Sequence, residues 1–216
     1  SYGDMTFDGC TFNAPGTEYS MWCYAGNVTY TNCIVNCAGK FANVYTALLY
    51  IAMPMSVTNF IVMDKMGHYS GMLLLAFFII IWSSDIGAYI FGMAFGQKYG
   101  KKLFPSISPK KSWIGFWGGF VLALLVSVLL FITGFWQYAG LDDMTWWHAL
   151  LLGAVMNVAG VYGDLFESQW KRHYEVKDSG TIIPGHGGMM DRLDSAIFAI
   201  PVGMLYLSLF QMIAPL

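Results

Sequence analysis

Charged side chains are scarce in this sequence, and their scarcity argues against a soluble architecture. Asp, Glu, Lys and Arg make up 11% of the 216 residues, whereas hydrophobic residues make up 56%. An ordinary soluble domain carries about 25% charged residues. Such a composition is typical of a chain whose solvent is largely lipid. The formal net charge of −2 says nothing about nucleic acid or any other polyanionic partner, and we expect no nucleic acid to bind.

Several familiar catalytic motifs are also missing. The sequence contains no G-x-x-x-x-G-K-[ST] phosphate loop, no G-x-S-x-G nucleophile elbow and no H-E-x-x-H zinc motif. A Walker-type phosphate site is therefore not expected. All four cysteines lie in the first forty residues, where Cys33 and Cys37 lack the second pair or histidine that a metal site needs.

Residues 1–43 are polar and do not contain the basic start and apolar stretch of a signal peptide. We assign them no function. Two interpretations stay open: a truncated or non-native N-terminus, or a chain whose working core needs no further helices. The domain boundary is placed after this segment, so that residues 44–216 form the transmembrane domain.

Five apolar runs have the length of membrane spans. Crossing a bilayer takes about 20 helical residues. The runs lie near 44–63, 71–96, 113–136, 146–166 and 194–214. One such run could come from the buried core of a soluble protein, but five predict an all-α, polytopic transmembrane helix bundle with about five spanning helices and a polar cavity on its cytoplasmic side.

The basic residues predict the orientation of this bundle. Lysines crowd the loop at 97–111, and further basic residues follow the fourth run at 171–192, whereas the loop at 137–145 has two acids and no Lys or Arg. Two spans separate the basic loops, so both can be cytoplasmic at once. We therefore expect a multi-pass protein of the cell's inner (plasma) membrane with its site facing the cytoplasm. Tryptophans near the span ends are expected to form interfacial belts.

Asp85 lies inside an apolar run, where an ionisable side chain is costly and marks a candidate functional site. On the same helix Ser84, Ala88, Gly92 and Gly96 recur every four residues. This small-residue stripe predicts close approach of another helix. The alternative for Asp85 is a purely structural pairing within the bundle.

A second set of polar residues ends the fourth run. Asp164, Glu167, Ser168 and Lys171 follow the i, i+3, i+4, i+7 pattern, so they share one helical face. A solvated surface stripe is the usual meaning of this pattern. Asp164, however, follows twenty residues without a charge, and a carboxylate at that depth needs a cation or a metal as its partner.

The loop after this face carries glycines around His186, and glycine permits close backbone approach to a ligand. We interpret His186 as ordering or polarising rather than metal-ligating. Asp191 and Asp194 begin the last run three residues apart. If the loop brings Asp164 and Asp191 together, their oxygens suit Mg²⁺. With the neighbouring Lys and Arg residues, this is the equipment of phosphoryl or nucleotidyl transfer.

The stretch SQWKRHYEVKDSGTIIPGHGGMMDRLD resembles the signature of the phosphatidate cytidylyltransferases, also called CDP-diacylglycerol synthases. That signature reads roughly S-x-x-K-R-x-x-x-x-K-D-x-x-x-x-x-P-G-H-G-G-x-x-D-R-x-D, and every fixed position is present. SSDIGAYIFGMAFG and SPKKSWIGFWGG resemble a second region of the family. The resemblance covers about residue 71 to the end. Family members usually begin with several further spans, so residues 1–43 depart from it.

The resemblance implies that CTP and phosphatidate react to give CDP-diacylglycerol and pyrophosphate, with Mg²⁺ and a nearby K⁺. The implied catalytic residues are Asp164, Asp191, Lys171, Arg172, Lys177 and Asp178. The implied substrate-binding residues are Ser168, Arg192, His186, Gly187, Gly188, Asp85, Lys110 and Lys111. The metal ligands are expected to be Asp164, Asp191 and Asp194.

Three alternatives stay open at this point. A CTP-dependent lipid kinase of the dolichol or phytol type would transfer a γ-phosphoryl group to a lipid alcohol. A transporter would use the intramembrane acids as an ion path. An inactive, truncated homologue would keep the motif without turnover. The expected partners are CTP, phosphatidate and membrane lipid, and a homodimer is left open.

Overall fold

The computed structural model describes residues 5–8, 11–13, 28–31, 34–36, 48–62, 70–97, 100–105, 107–173, 175–176, 179–180 and 188–213. The chain divides into two compact units, Ser1–Met53 and Pro54–Leu216. Four short strands in the first unit form two parallel pairs. Strand β1 (Met5–Asp8) pairs with β3 (Val28–Thr31), and β2 (Thr11–Asn13) pairs with β4 (Ile34–Asn36).

The segment predicted as the first span is shorter than expected in the described residues. It contains a π-helical turn, Leu48–Ala52, and the nine-residue helix α1, Met53–Ile61. Leu48–Ile61 is apolar, but it is too short to rank among the helices that could cross a membrane. The prediction of about five spans therefore becomes four within the part of the chain that the structure describes.

Four helices are long and apolar enough to cross a membrane. They are α2 (Met72–Phe91, continued by a π-helical turn at Gly92–Gly96), α3 (Trp113–Ile132), α5 (Trp146–His173) and α6 (Met190–Leu209), with the one-turn helix α4 (Phe135–Tyr138) after α3. Apolar runs with few charges leave the backbone to satisfy its own hydrogen bonds, and a helix does so within lipid. The prediction of an all-α polytopic membrane bundle is confirmed.

Several helix boundaries differ from the sequence prediction, and α6 runs over Met190–Leu209 rather than 194–214. Helix α3 ends at Ile132 rather than continuing to 136, because Gly134 adopts a left-handed conformation with φ of 74° just beyond the helix, which is a common way for a helix to end. Helix α5 continues to His173, seven residues beyond the predicted end. Its 28 residues span about 42 Å, at 1.5 Å per residue. The last turns therefore extend past a hydrocarbon core of about 30 Å.

The loop between α2 and α3 forms a β-hairpin. Strand β5 (Lys102–Phe104) pairs antiparallel with β6 (Ser108–Ser112). Ser112 then caps α3, because its Oγ accepts a hydrogen bond from the Gly115 amide at 3.2 Å. The hairpin is tied to the end of α2 through Gln97, whose amide donates to the Lys110 carbonyl oxygen at 3.0 Å.

The spans pack in the order α2, α3, α5 and α6. The close approach between α2 and α3 depends on glycine: a Cβ added at Gly119 would lie 2.6 Å from the Ser84 carbonyl oxygen. The predicted small-residue stripe on α2 therefore does face another helix. Larger side chains fill the centre of the bundle, where Phe77, Leu152 and Met204 are buried.

One tryptophan departs from the predicted interfacial belt. Trp113, Trp117, Trp146 and Trp147 are exposed on the bundle surface, as expected, but Trp136 is fully buried. Its indole nitrogen donates to the Ser127 carbonyl oxygen at 3.1 Å. The break at the end of α3 turns this side chain back into the core, where that acceptor satisfies its only polar atom.

Candidate active site

A cavity of about 350 Å³ lies where α2, the hairpin, α3, α5 and α6 meet. Helices supply its acidic lining, Asp85 from α2 and Asp164 from α5, while the hairpin supplies Lys110 and Lys111. Its polar lining also includes Ser84, Tyr89, Ser112 and Ser195. The cavity is therefore lined by residues of five elements. The sequence analysis had predicted candidate residues separately on four of them: α2, the hairpin, α5 and α6.

Lys111 crosses from the hairpin to α5. Its ammonium group forms an ion pair with Asp164 Oδ2. The nitrogen is buried and has no partner that meets hydrogen-bond geometry among the described residues. Ser168, one turn along α5, donates from its hydroxyl to the other Asp164 oxygen, Oδ1, at 3.3 Å. The predicted carboxylate at the end of this span thus has a lysine as its counter-ion.

The predicted polar face of α5 is confirmed. Lys171 Nζ lies 3.3 Å from Glu167 Oε2 and 2.7 Å from Asp191 Oδ1. The Glu167 side chain is only 3% exposed, so this pairing offsets the cost of placing its charge in the bundle. Lys171 therefore joins α5 to the beginning of α6 through two carboxylates.

Asp191 also organises the loop before α6. Its Oδ2 accepts hydrogen bonds from the Ser179 amide at 3.0 Å, the Ser179 hydroxyl at 2.8 Å and the Gly188 amide at 2.7 Å. A carboxylate with this many donors is held firmly in its ionised form. In this arrangement Asp191 contacts loop donors and Lys171, and a metal would have to displace one of them.

Asp194 lies within the electrostatic influence of three further carboxylates. The charges of Asp164, Glu167 and Asp85 all act on it, and its Oδ1 accepts from the Ser195 amide at 2.6 Å. The charges of both Asp164 and Lys111 act on Asp85 in turn. Carboxylates that repel one another in a partly buried site favour a cation among them. Oxygen donors of this kind suit Mg²⁺.

The described side chains are not arranged as a metal-coordinating group. Over the residues that the structure describes, no three His, Cys, Asp or Glu side chains are gathered as a metal-binding group. Asp164 instead contacts Lys111, and Asp191 contacts Lys171. The donor chemistry thus fits a divalent cation, while lysine ammonium groups hold two of the predicted ligands.

The remaining predicted residues fall into three groups. Arg172 is exposed, and its Nε donates to the Ile107 carbonyl oxygen on the hairpin at 3.5 Å. Arg192 is exposed and Gly188 is buried. Lys177, Asp178, His186 and Gly187 lie outside the described residues. For every predicted site residue, a role in substrate or metal binding stays a prediction.

Sequence reasoning missed one buried pair that includes Ser84, a residue of the cavity lining. Asn157, which is 2% exposed, donates from its amide to Ser84 Oγ at 2.5 Å. Asn157 lies two helical turns before Asp164 on the same face of α5, and Ser84 is next to Asp85. The sequence did contain a signal for Asn157, because it is a polar residue within a predicted span and lies seven residues before the candidate acid Asp164.

A family model described as the cytidylyltransferase family matches residues 5–210. The match reaches further toward the N-terminus than the resemblance seen in the sequence. It confirms that resemblance for most of the chain.

Individual relatives agree with the family model. The phosphatidate cytidylyltransferase of Staphylococcus haemolyticus (strain JCSC1435) is 44% identical over 146 residues, covering 67% of this chain and 50% of that protein. The proteins of the same name from Staphylococcus aureus (strain COL) and Bacillus subtilis (strain 168) are 42% and 37% identical over 135 and 133 residues, in each case 62% of this chain and 47% or 46% of the relative. The chain thus spans about half the length of the curated relatives that it matches.

Proposed function

The chain belongs to the cytidylyltransferase family, and we propose that it catalyses the reaction of CTP with phosphatidate to give CDP-diacylglycerol and pyrophosphate, in phospholipid biosynthesis. One observation carries the proposal: acids and lysines that are distant in sequence meet around one cavity at the basic end of the bundle. The relatives support it, since each is named a phosphatidate cytidylyltransferase.

The proposed reaction makes one phosphorus–oxygen bond and breaks another. A phosphate oxygen of phosphatidate attacks the α-phosphorus of CTP, and the bond from that phosphorus to the β-phosphate oxygen breaks to release pyrophosphate. The attacking oxygen is already anionic near neutral pH, so the site needs no general base. Its work is to hold two anions in line and to stabilise the developing charge.

The chain's lysines are suited to that work. Lys111 Nζ is a buried donor beside the cavity, and an ammonium group has three N–H donors. Lys110 lines the same cavity from the exposed side. Lys171 orients Asp191 and the loop that Asp191 holds. Arg172 lies at the hairpin, where its guanidinium suits a phosphate oxygen. In this proposal the cations neutralise phosphate oxygens and the loop positions them.

Mg²⁺ is part of the proposal because the donor set fits it. Asp164 and Asp194 would hold the ion with water and phosphate oxygens, and Asp191 would join them only if it moved and released one of its present donors. A bound Mg²⁺ supplies Lewis-acid stabilisation of phosphate charge. A nearby K⁺ and a homodimer stay predictions.

The membrane setting follows from the same geometry. The chain is an integral membrane protein by its four long apolar helices. The two basic segments lie at the same end of the bundle, because Lys111 contacts Asp164 and Arg172 contacts Ile107. By the positive-inside rule we propose that this end faces the cytoplasm. The bacterial relatives favour the plasma membrane.

A two-label assay tests the proposal. The purified chain in detergent is given phosphatidate, Mg²⁺ and CTP that carries radioactivity on either the α- or the γ-phosphate. We expect the α-label to enter the lipid fraction and the γ-label to leave as pyrophosphate, both only when phosphatidate is present. A matched control replaces phosphatidate by diacylglycerol, which lacks the attacking phosphate.

Each other outcome overturns the proposal in a defined way. Entry of the γ-label into a lipid alcohol, with release of CDP, would identify a lipid kinase. Absence of transfer from either label, in protein whose helicity and thermal transition are intact, would identify an inactive homologue. Lipid labelling that does not depend on phosphatidate would assign a different acceptor.

A further inference from the structure

We propose that Lys111 is a built-in counter-cation that competes with the divalent metal for Asp164. The idea rests on the proposed function only in taking Asp164 as part of a metal-binding cluster. With the metal absent, the Lys111 ammonium group holds this carboxylate. A divalent cation must displace the ammonium group, which is then free to donate to a phosphate in the cavity.

The location of Lys111 supports this role. Its nitrogen is buried against Asp164 and finds no hydrogen-bond geometry among the described residues. A lysine that serves only to hold the structure would be expected to satisfy more of its three N–H donors. The N–H donors that do not face Asp164 lie beside the cavity that Lys111 lines.

The charge around Lys111 points the same way. The charge of Asp164 acts on both Asp85 and Asp194, whereas Lys171 is held between Glu167 and Asp191. Lys111 is therefore the described ammonium group that acts on both Asp85 and Asp164. A cation between two carboxylates occupies the electrostatic position that a divalent ion would take.

The hairpin allows the ammonium group to move without moving the backbone. Lys110 and Lys111 are adjacent in β6, whose position is fixed by the Gln97 hydrogen bond to the Lys110 carbonyl and by the Ser112 cap. A lysine ammonium group is carried on a flexible stem of four carbons. Rotation of that stem alone can take the charge from Asp164 toward the cavity, where a phosphate oxygen would form a charge-assisted hydrogen bond with it.

The test measures metal affinity without any substrate. Free Mn²⁺ is titrated by electron paramagnetic resonance in the presence of the purified full chain in detergent. We expect Lys111→Met to bind Mn²⁺ about fivefold more tightly than wild type or better, because the competing charge beside Asp164 is gone. Lys110→Met removes an equal charge from an exposed neighbour, and we expect its Mn²⁺ affinity to stay within about twofold of wild type.

A charge-preserving variant separates competition from a general change in charge. Lys111→Arg keeps the positive charge, but a guanidinium group can hold a carboxylate with two parallel hydrogen bonds. We expect it to bind Mn²⁺ more weakly than wild type. Because it retains the ion pair, this variant also carries the test if Lys111→Met fails to fold.

Several results would overturn the inference. Unchanged or weaker Mn²⁺ binding by Lys111→Met would mean that the lysine does not compete. Equal gains in Lys111→Met and Lys110→Met would reduce the effect to bulk charge. Lack of Mn²⁺ binding in every variant would remove the metal from this cluster. The two-label assay judges CMP transfer separately, so the proposed function can survive any of these outcomes.

Discussion

Replacing Gly87 by alanine tests whether the close approach of α2 and α3 positions the candidate site. A Cβ at Gly87 would lie 2.7 Å from the Gly118 carbonyl oxygen and 3.0 Å from the Gly119 Cα. Both are backbone atoms, so neither can rotate away as a side chain would. Restoring an ordinary contact of 3.4 Å to the carbonyl requires a local separation of about 0.7 Å.

The size of the effect follows from this separation. Overpacking of this kind costs about 1–3 kcal/mol, and alanine recovers about 0.5–1 kcal/mol by replacing glycine in a helix. We expect a net destabilisation of about 0.5–2 kcal/mol. Asp85 lies two residues before Gly87, so the shift also moves it relative to Asp164. Displacements of about 1 Å can cost about 100-fold in rate, and we expect CMP transfer to fall about tenfold or more.

Gly92→Ala is the matched control on the same helix, where it also faces α3. A Cβ there would lie 3.7 Å from the Gly115 Cα, which is ordinary contact, and the backbone φ of −63° is helical. We expect its melting temperature to equal or slightly exceed that of wild type, because alanine stabilises the helix there without overpacking. Thermal unfolding in detergent and initial rates of CDP-lipid formation measure both variants. Equal behaviour of Gly87→Ala and Gly92→Ala in both measurements would refute the reasoning.

Three further predictions concern the polar network itself. Asp191→Asn should reduce CMP transfer at least about 100-fold with helicity retained, because it weakens the bonds to Lys171, Ser179 and Gly188. The control Asp142→Asn changes an exposed residue in the opposite loop and should keep wild-type turnover. Wild-type turnover in Asp191→Asn would count against the site. Asp164→Ala should raise the Mg²⁺ concentration needed for half-maximal activity about tenfold or abolish activity, and an unchanged Mg²⁺ titration would argue against its role as a ligand. Lys171→Met should destabilise the protein by about 3–5 kcal/mol, since it leaves Glu167 buried without its ion pair. Adding Glu167→Gln should restore much of the lost melting temperature. A double variant no more stable than Lys171→Met alone would contradict this account.

Helix placement could be predicted from the sequence because lipid imposes a strong constraint. Four of the five predicted spans correspond to long apolar helices. The errors lie at the boundaries. Gly134 ended a helix within a continuous apolar run, and α5 continued through polar residues that suited a helix outside the hydrocarbon core. Hydropathy measures what lipid tolerates, whereas a helix end depends on local capping and on water.

Residues on one helix face could also be predicted, because a period of 3.6 residues places them together. The Glu167–Lys171 ion pair and the Ser168–Asp164 hydrogen bond are both four residues apart. The contacts from Lys111 to Asp164 and from Asn157 to Ser84 join residues 53 and 73 positions apart. Such contacts depend on how each helix is rotated about its axis and on the hairpin register, which no local pattern encodes.

Asp191 shows how the motif and its geometry inform each other. The signature marks this residue, and the sequence led to a metal ligand, whereas the structure gives it the Ser179 and Gly188 amides and Lys171 as donors. These donors come from both sides of the glycine-rich loop, so the carboxylate fixes the two ends of that loop beside α5. Among the described residues, the signature's Asp191 thus joins Ser179 and Gly188, nine positions apart in sequence, to the start of α6, a contact that the motif alone does not encode.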